Sequence, residues 1–466
     1  MHGILLIDFG STYTKLTAVD LDAPRVLGHA QAFTTAKTDI SIGLDEALMK
    51  LQASCGVAGF QARLACSSAA GGLNMVACGL VPTLTSKAAK LAAFGAGAKV
   101  IKTFAYQLTQ DDIRQIDTIK PDILLLCGGI DGGNTEVILY NASMLQKSTG
   151  NFPIVIAGNR SALDECSQIL EKSNHPVYRA PNVMPEMNRL NIEPVARVIR
   201  EIFLQRIILA KGLSKTRSLL DGILMPTPSA VQDALTLLAQ GSKQTRGLGD
   251  LIALDLGGAT TDVYSIAKGD PVNPTTVLRG LPEPFVKRTV EGDLGMRYNA
   301  LGILEAVGID ILIHLSSLTA ESLRNIIRQY HDDPSKLPES QEEERADEAL
   351  AAAALSVALA RHAGTLEQVY TPIGPVYQQT GKDLTQTERM IVTGGALVYS
   401  DNISRIVYNA ITHQDKMALT PKQCRVITDK GYILSAMGLL AGYEPETALH
   451  LLMDLFGREE AYASVQ

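Results

Sequence analysis

Ile4–Val19 reads ILLIDFGSTYTKLTAV, and Leu251–Ile266 reads LIALDLGGATTDVYSI. Each is an apolar run that ends in Asp-x-Gly, passes through small and hydroxyl-bearing residues, and resumes as a second apolar run. Apolar, β-rich stretches joined by a glycine turn read as a strand–turn–strand hairpin. The two aspartates, Asp8 and Asp255, stand 255 − 8 = 247 positions apart in a chain of 466 residues. That is about half the chain, so the spacing predicts two related lobes built on one hairpin, their turns facing each other across a cleft.

Outward from these copies, strand-like runs alternate with longer helical stretches, the pattern of an α/β protein with open sheets. The clearest strands are Gly3–Ile7, Ile123–Leu126, Pro153–Ile156, Leu251–Leu254 and Met390–Val392; amphipathic stretches include Ile192–Leu209 and Glu348–Ala360. Four of the five strands end in glycine-containing turns, where ligands of such sheets sit. The one strongly charged run, Ser335–Glu344, reads as a solvated loop leading into a helix N-terminus.

Composition narrows the partners. Hydrophobic residues are 46% and charged residues 20%, enough for a buried core, and Gly 39 and Pro 20 are ordinary, so wholesale disorder is not expected. Lys+Arg 42 against Asp+Glu 49 gives −7 without basic runs, which argues against nucleic acid. A phosphate ligand stays compatible with that charge, because backbone N–H groups can hold it. The opening MHGILLIDFGS has no basic n-region and its apolar run is cut by Asp8, unlike a secretory signal. No stretch approaches the ~18 apolar residues of a membrane span. Cys55, Cys66, Cys78, Cys127, Cys166 and Cys424 are scattered and read as reduced thiols. A soluble, cytoplasmic chain is the expectation.

The turns have the chemistry of a phosphate site. In Asp8–Lys15 (DFGSTYTK), Gly10 lets the backbone approach an anion, Ser11 and Thr12 offer hydroxyls and Lys15 a point charge. Asp8, at the strand end, is placed to hold hydrated Mg²⁺, which binds few protein carboxylates and keeps its waters. Asp255–Asp262 (DLGGATTD) repeats the design with Gly257, Gly258, Thr260, Thr261 and a second carboxylate. One copy is an ordinary hairpin turn; two, half a chain apart, suit a polyphosphate and its metal. Val392–Leu397 (VTGGAL) adds a strand ending in Gly394-Gly395 before a helix, and Cys127–Gly133 (CGGIDGG) is read equally well as a cleft loop or a plain turn. Gly374–Lys382 (GPVYQQTGK) has the wrong spacing for a Walker A loop, and no HExxH, nucleophile elbow or kinase HRD/DFG set occurs.

The three turns resemble the phosphate-1, phosphate-2 and adenosine motifs of the actin/Hsp70/sugar-kinase superfamily. DLGGATTDV is close to the Hsp70 form, departing at Ala259 and Thr261, and IDFGSTYTK carries a lysine that actin has and Hsp70 lacks. Asn191–Ala196 (NIEPVA) resembles the Hsp70 connecting helix, whose glutamate helps position the attacking water; Gly431–Gly442 resembles the second connecting helix. Leu64–Pro82, GAGAKVI, LCGGIDGGNTE, NVMPEMNRLNIEPVARVIREIF, RTVEGDLGMRYNA and TPIGPVYQQTGKDLT resemble the MutL-like accessory proteins of glutamate (methylaspartate) mutase, a family unrelated to the mismatch-repair protein of the same short name.

The resemblance implies a two-lobed actin/Hsp70-like (ribonuclease H-like) ATPase fold with a central nucleotide cleft. Its first lobe would be 1–212, its second 213–430, and 431–466 would return to the first. It implies ATP and Mg²⁺ as ligands, with Asp8 and Asp255 on the metal. Gly10, Ser11, Thr12, Lys15, Gly257, Gly258, Thr260 and Thr261 would lie on the phosphates and Gly394-Gly395 on adenosine. Glu193 or Asp262, with Asp8, would serve catalysis. The implied activity is a chaperone or reactivating ATPase whose partner is an adenosylcobalamin-dependent mutase. The chain itself lacks Asp-x-His-x-x-Gly, the motif by which many cobalamin proteins hold cobalt from below. A small-molecule kinase, with Asp131 or Glu193 as base, and an ATP-binding scaffold with little turnover share the same turns and stay open.

Overall fold

The computed structural model describes residues 3–10, 12–35, 39–56, 59–68, 73–210, 222–372, 374–458 and 463–465. The chain forms two compact units: Met1–Ala234 with Gly280–Pro282 and Leu434–Leu451, and Leu235–Arg279 with Glu283–Ile433 and Leu452–Gln466.

In the first unit β1 (Gly3–Phe9), β2 (Tyr13–Asp20) and β3 (Arg25–Phe33) form an antiparallel meander. On the other side of β1, β4 (Ala62–Ser67) runs parallel to it. All seven residues of β1 are buried, as its continuous apolar sequence requires of a strand covered on both faces. A second, all-parallel sheet in this unit contains β5 (Leu73–Gly79), β6 (Ala98–Ala105), β7 (Ile123–Leu126), β8 (Ile154–Ile156) and β9 (Val177–Arg179), in the order β6-β5-β7-β8-β9. β10 (Gly222–Pro226) then completes the first sheet as β10-β4-β1-β2-β3. The alanine-rich helix Lys87–Gly95 buries Ala88, Ala89, Leu91, Ala92, Ala93 and Phe94 in the core, so its small residues serve packing.

The second unit repeats the plan. β11 (Leu251–Leu256) and β12 (Thr261–Ile266) form the hairpin. β13 (Val277–Arg279) lies in a small side sheet, and β14 (Val286–Glu291) extends the hairpin. β15 (Thr365–Thr371) and β16 (Gly374–Thr380) join β13, while β17 (Arg389–Thr393) and β18 (Cys424–Thr428) follow β11 in parallel. The main sheet reads β14-β12-β11-β17-β18, with β19 (Ala463–Val465) antiparallel on its edge. Two antiparallel strands, a central strand and two parallel strands therefore recur in both units, in one order. Each unit is thus α/β, built on a sheet of this one order. The charged run leads into a helix as expected, but Ser340 caps the helix Gln341–His362 within the run, so its last four residues are helical.

The unit boundaries differ from the sequence expectation. The first unit runs past residue 212 because β10 pairs in parallel with β4, and the helix Thr227–Gln240 carries the chain across at Ala234/Leu235. The helix Ile192–Ala210 belongs wholly to the first unit. The resemblance of Asn191–Ala196 to a connecting helix is thus local, and the connection is made by the helix Thr227–Gln240. The return comes at Leu434. After Leu451 the chain leaves again, and β19 pairs with β18 of the second unit. No helix among the described residues is long and apolar enough to cross a membrane.

Lys382 of the Walker-like stretch is fully buried, donating to the Phe285 carbonyl at 2.8 Å and to Ser265 Oγ at 3.2 Å. His362 meets Ser265 Oγ and Thr289 Oγ1, both at 2.8 Å. Lys287 donates to the His362 carbonyl at 2.6 Å and pairs with Glu283 at 3.3 Å. Burial, then the Lys287 charge, pushes Lys382 down from 10.5 to about 7, against the pull of Glu283 and Asp250. Burial and both lysines hold His362 well below its ordinary value, hence neutral. From about pH 7 to 10 the unfolded chain keeps a Lys382 proton that the folded chain has released, so stability rises with pH in that window. Below pH 7 the cost of the buried ammonium is present in full. Lys382→Met should flatten this rise, which is at most about 1.4 kcal/mol per pH unit, in urea unfolding between pH 7 and 9.

Candidate functional site

The first turn is closed by its own backbone, Gly10 N–H donating to the Tyr13 carbonyl at 3.0 Å. A Cβ at Gly10 would lie 2.6 Å from that carbonyl oxygen, so only glycine permits this closure. Asp8 lies opposite Lys15 across the hairpin, and residues so paired share a face. Asp8 is buried, 7% exposed. It accepts from Thr227 Oγ1 at 2.7 Å and from Ser435 Oγ at 2.9 Å. Beside it, burial raises the Cys66 thiol well above its usual range, with Asp8 adding to the effect. Thr12 is exposed at the tip, its carbonyl accepting from Thr34 N–H at 2.8 Å. Ser11 lies outside the described residues.

The second turn closes identically, Gly257 N–H donating to the Thr260 carbonyl at 2.9 Å. It is braced from behind by a segment remote in sequence. Met296 N–H donates to the Gly257 carbonyl at 3.1 Å, and Arg297 and Tyr298 N–H donate to the Gly258 carbonyl at 2.9 and 3.0 Å. Asn299 Nδ2 donates to the Ala259 and Gly292 carbonyls at 2.7 and 2.8 Å. This gives the stretch RTVEGDLGMRYNA a purpose: it presses the turn into shape while Gly258 stays exposed. Asp255 is half-buried at the strand end.

Thr261 and Asp262 are placed otherwise than a phosphate ligand and a free catalytic carboxylate. Thr261 is fully buried and its hydroxyl donates to the Leu294 carbonyl. Strand alternation sends residue 261 to the face opposite 260 and 262. Asp262 Oδ1 accepts from Arg288 Nε at 2.8 Å and also from Nη2; Thr260 Oγ1 is 3.4 Å from Oδ2. Arg288 is 4% exposed, and the adjacent Asp262 holds its proton more firmly against the opposing effect of burial. Both residues frame the turn.

Gly394 ends β17 with φ +98°, and a Cβ there would sit 2.2 Å from the Leu256 carbonyl oxygen. β17 runs beside β11 with Thr393 in register with Asp255, so the Gly394-Gly395 turn and the Asp255 turn adjoin. Gly395 is exposed and opens the helix Gly395–Val398. Tyr432 was not legible as a site residue. Burial, then Tyr399, Asp255 and Asp429, raise its phenol beyond the usual range, which places it among these groups.

Glu193 opens the helix Ile192–Ala210, exposed, with Arg200 Nη2 on one oxygen at 2.5 Å. Asp233, on the crossing helix, keeps contact with solvent, yet the protein crowding its carboxyl pushes it up to about 6, Arg200 opposing and Glu193 reinforcing. Asp131 belongs to the other sheet of the first unit, following β7. Its carboxylate accepts from Arg160 N–H at 2.9 Å and Asn182 Nδ2 at 2.8 Å, a loop brace rather than a base. Among the described residues no group of three or more His, Cys, Asp or Glu could hold a metal. Asp8 and Asp255, single carboxylates at strand ends, are the kind of donor that hydrated Mg²⁺ takes.

A family model described as MutL protein matches residues 4–455. Protein MutL of Clostridium tetanomorphum is 46% identical over 455 residues, covering 97% of this chain and 98% of its own. Among solved structures, a glycerol dehydratase reactivase aligns with 95% of this chain and 100% of its own, at 11% identity and TM-score 0.35. A ligand-bound xylulose kinase from Lactobacillus acidophilus covers 100% of this chain and 93% of its own at 13% identity and TM-score 0.35. Plasmodium falciparum glycerol kinase with ADP covers 99% and 94%, at 11% identity and TM-score 0.36.

Proposed function

This chain belongs to the MutL protein family, and from that premise we propose that it is an ATP-binding, ATP-hydrolysing reactivating factor for an adenosylcobalamin-dependent mutase. The observation that carries the reading is the repeated turn. At the same place in two sheets of one order, an aspartate is followed by a glycine whose N–H closes onto the carbonyl three residues on. Gly10, Thr12 and Lys15 in the first unit, and Gly257, Gly258 and Thr260 in the second, are the phosphate-facing groups, and Ser11 is assigned to the phosphates from the sequence alone. Gly394 and Gly395 are the adenosine-facing ones. Asp8 in the first unit and Asp255 in the second are each a strand-end carboxylate of the kind that would hold the water shell of Mg²⁺, which when bound neutralises phosphate charge. Thr261 and Asp262 keep the second turn rigid. Glu193, bonded through one oxygen and exposed, is the carboxylate best able to orient a water. Positioning and charge neutralisation of this kind carry most phosphoryl-transfer catalysis. A mutase that favours one nucleotide state of the chain is then coupled to turnover.

The test is phosphate release with and without purified glutamate mutase, for the wild type and for the Asp8→Ala, Asp255→Ala double variant. Stimulation by the mutase that disappears in the double variant is expected. Turnover that depends on an added small hydroxy or carboxylic acid and ignores the mutase would instead make the chain a kinase.

A further inference from the structure

Asp8 is held by two hydroxyls that are 219 and 427 positions away in the chain. Thr227 is the first residue of the helix Thr227–Gln240, which leaves the first unit after Ala234. Ser435 is the second residue of the helix Leu434–Ala441, which starts where the chain re-enters that unit. Within the first unit these helices also touch, since a Cβ on Gly438 would fall 1.8 Å from the Ala230 carbonyl oxygen. Each oxygen of Asp8 thus accepts one hydroxyl hydrogen bond, one from the start of the helix that leaves the unit and one from the start of the helix that re-enters it. A carboxylate has about four lone-pair directions, so both oxygens keep capacity for metal-bound water. Hydroxyl donors fix the plane of the carboxylate without placing a cation against the metal.

We infer that Thr227 and Ser435 are positioning residues that aim Asp8 at hydrated Mg²⁺ and thereby link occupancy of the first turn to the helix by which the chain leaves the first unit and the helix with which it re-enters it. The inference rests on the nucleotide reading above. Its test uses the full chain with ADP, titrating Mg²⁺ and following the melting temperature, together with amide hydrogen exchange over 227–240 and 434–441. Thr227→Val and Ser435→Ala should each raise the Mg²⁺ concentration at half-effect by at least about tenfold, the cost of a lost hydrogen bond to a charged group. Thr227→Ser should return it to within about twofold of the wild type. In the wild type, Mg²⁺ with ADP should slow exchange in both helices, and in the two variants it should not. Hydroxyls that serve only the fold would lower the unliganded melting temperature and leave the Mg²⁺ midpoint in place; that result overturns the inference while the nucleotide reading stands. A wild type indifferent to ADP and Mg²⁺ removes both.

Discussion

Replacing Asp255 by alanine should abolish the thermal stabilisation that Mg²⁺ and ATP confer. At 100 times its dissociation constant a ligand adds about 2.7 kcal/mol to the stability of the state that binds it, so the wild type should show an increase of several degrees. Main-chain hydrogen bonds shape the second turn and would persist in the variant. Its closure from Gly257 to Thr260, and its bracing by the N–H groups of Met296, Arg297 and Tyr298, are backbone bonds. Asp255→Ala should therefore keep the circular dichroism of the wild type and lose the response to nucleotide, measured by scanning calorimetry as the shift between runs with and without Mg²⁺ and ATP. A variant that keeps the full response would remove Asp255 from the metal.

Gly438→Ala should be among the most damaging single-methyl additions in the chain. The added carbon would fall 1.8 Å from the Ala230 carbonyl oxygen and 2.4 Å from its carbonyl carbon. Those are main-chain atoms of a helix, so no rotamer change relieves the collision. The helix Leu434–Ala441 is buried along most of its length, including Leu434, Met437, Leu439 and Leu440, and has nowhere to retreat. Overpacking of this kind costs about 3 kcal/mol or more, read from the urea midpoint. Because Ser435 rides on the same helix, the response to ADP and Mg²⁺ should weaken with it. Ala230→Gly should not rescue the variant, since the clash is with the carbonyl group.

Much of the fold is local information. Runs such as ILLID and LIALD, with the glycines that close their turns, announce central strands and hairpins within a few residues, and the 247-position spacing of their aspartates announces the duplication. The NIEPVA stretch misled, because a short helical start looks alike wherever the chain uses it. Only the pairing of β10 with β4 shows that the crossing is made by the helix Thr227–Gln240. Thr261 could have been read correctly by strand alternation alone, since it occupies the strand position of Thr14 in the first copy, and both are fully buried.

The sequence by itself determined the two Asp-x-Gly turns, the strands that carry them and the class of anion they suit, because pleat, periodicity and glycine geometry act over a few neighbouring residues. The tertiary structure alone decided what each carboxylate is free to do. Asp262 is committed to Arg288, Asp131 to Asn182 and the Arg160 amide, and Asp8 to hydroxyls from two remote helices. A serine or threonine carries no mark of the carboxylate it will meet hundreds of positions away, for that meeting is fixed by the order in which strands enter a sheet.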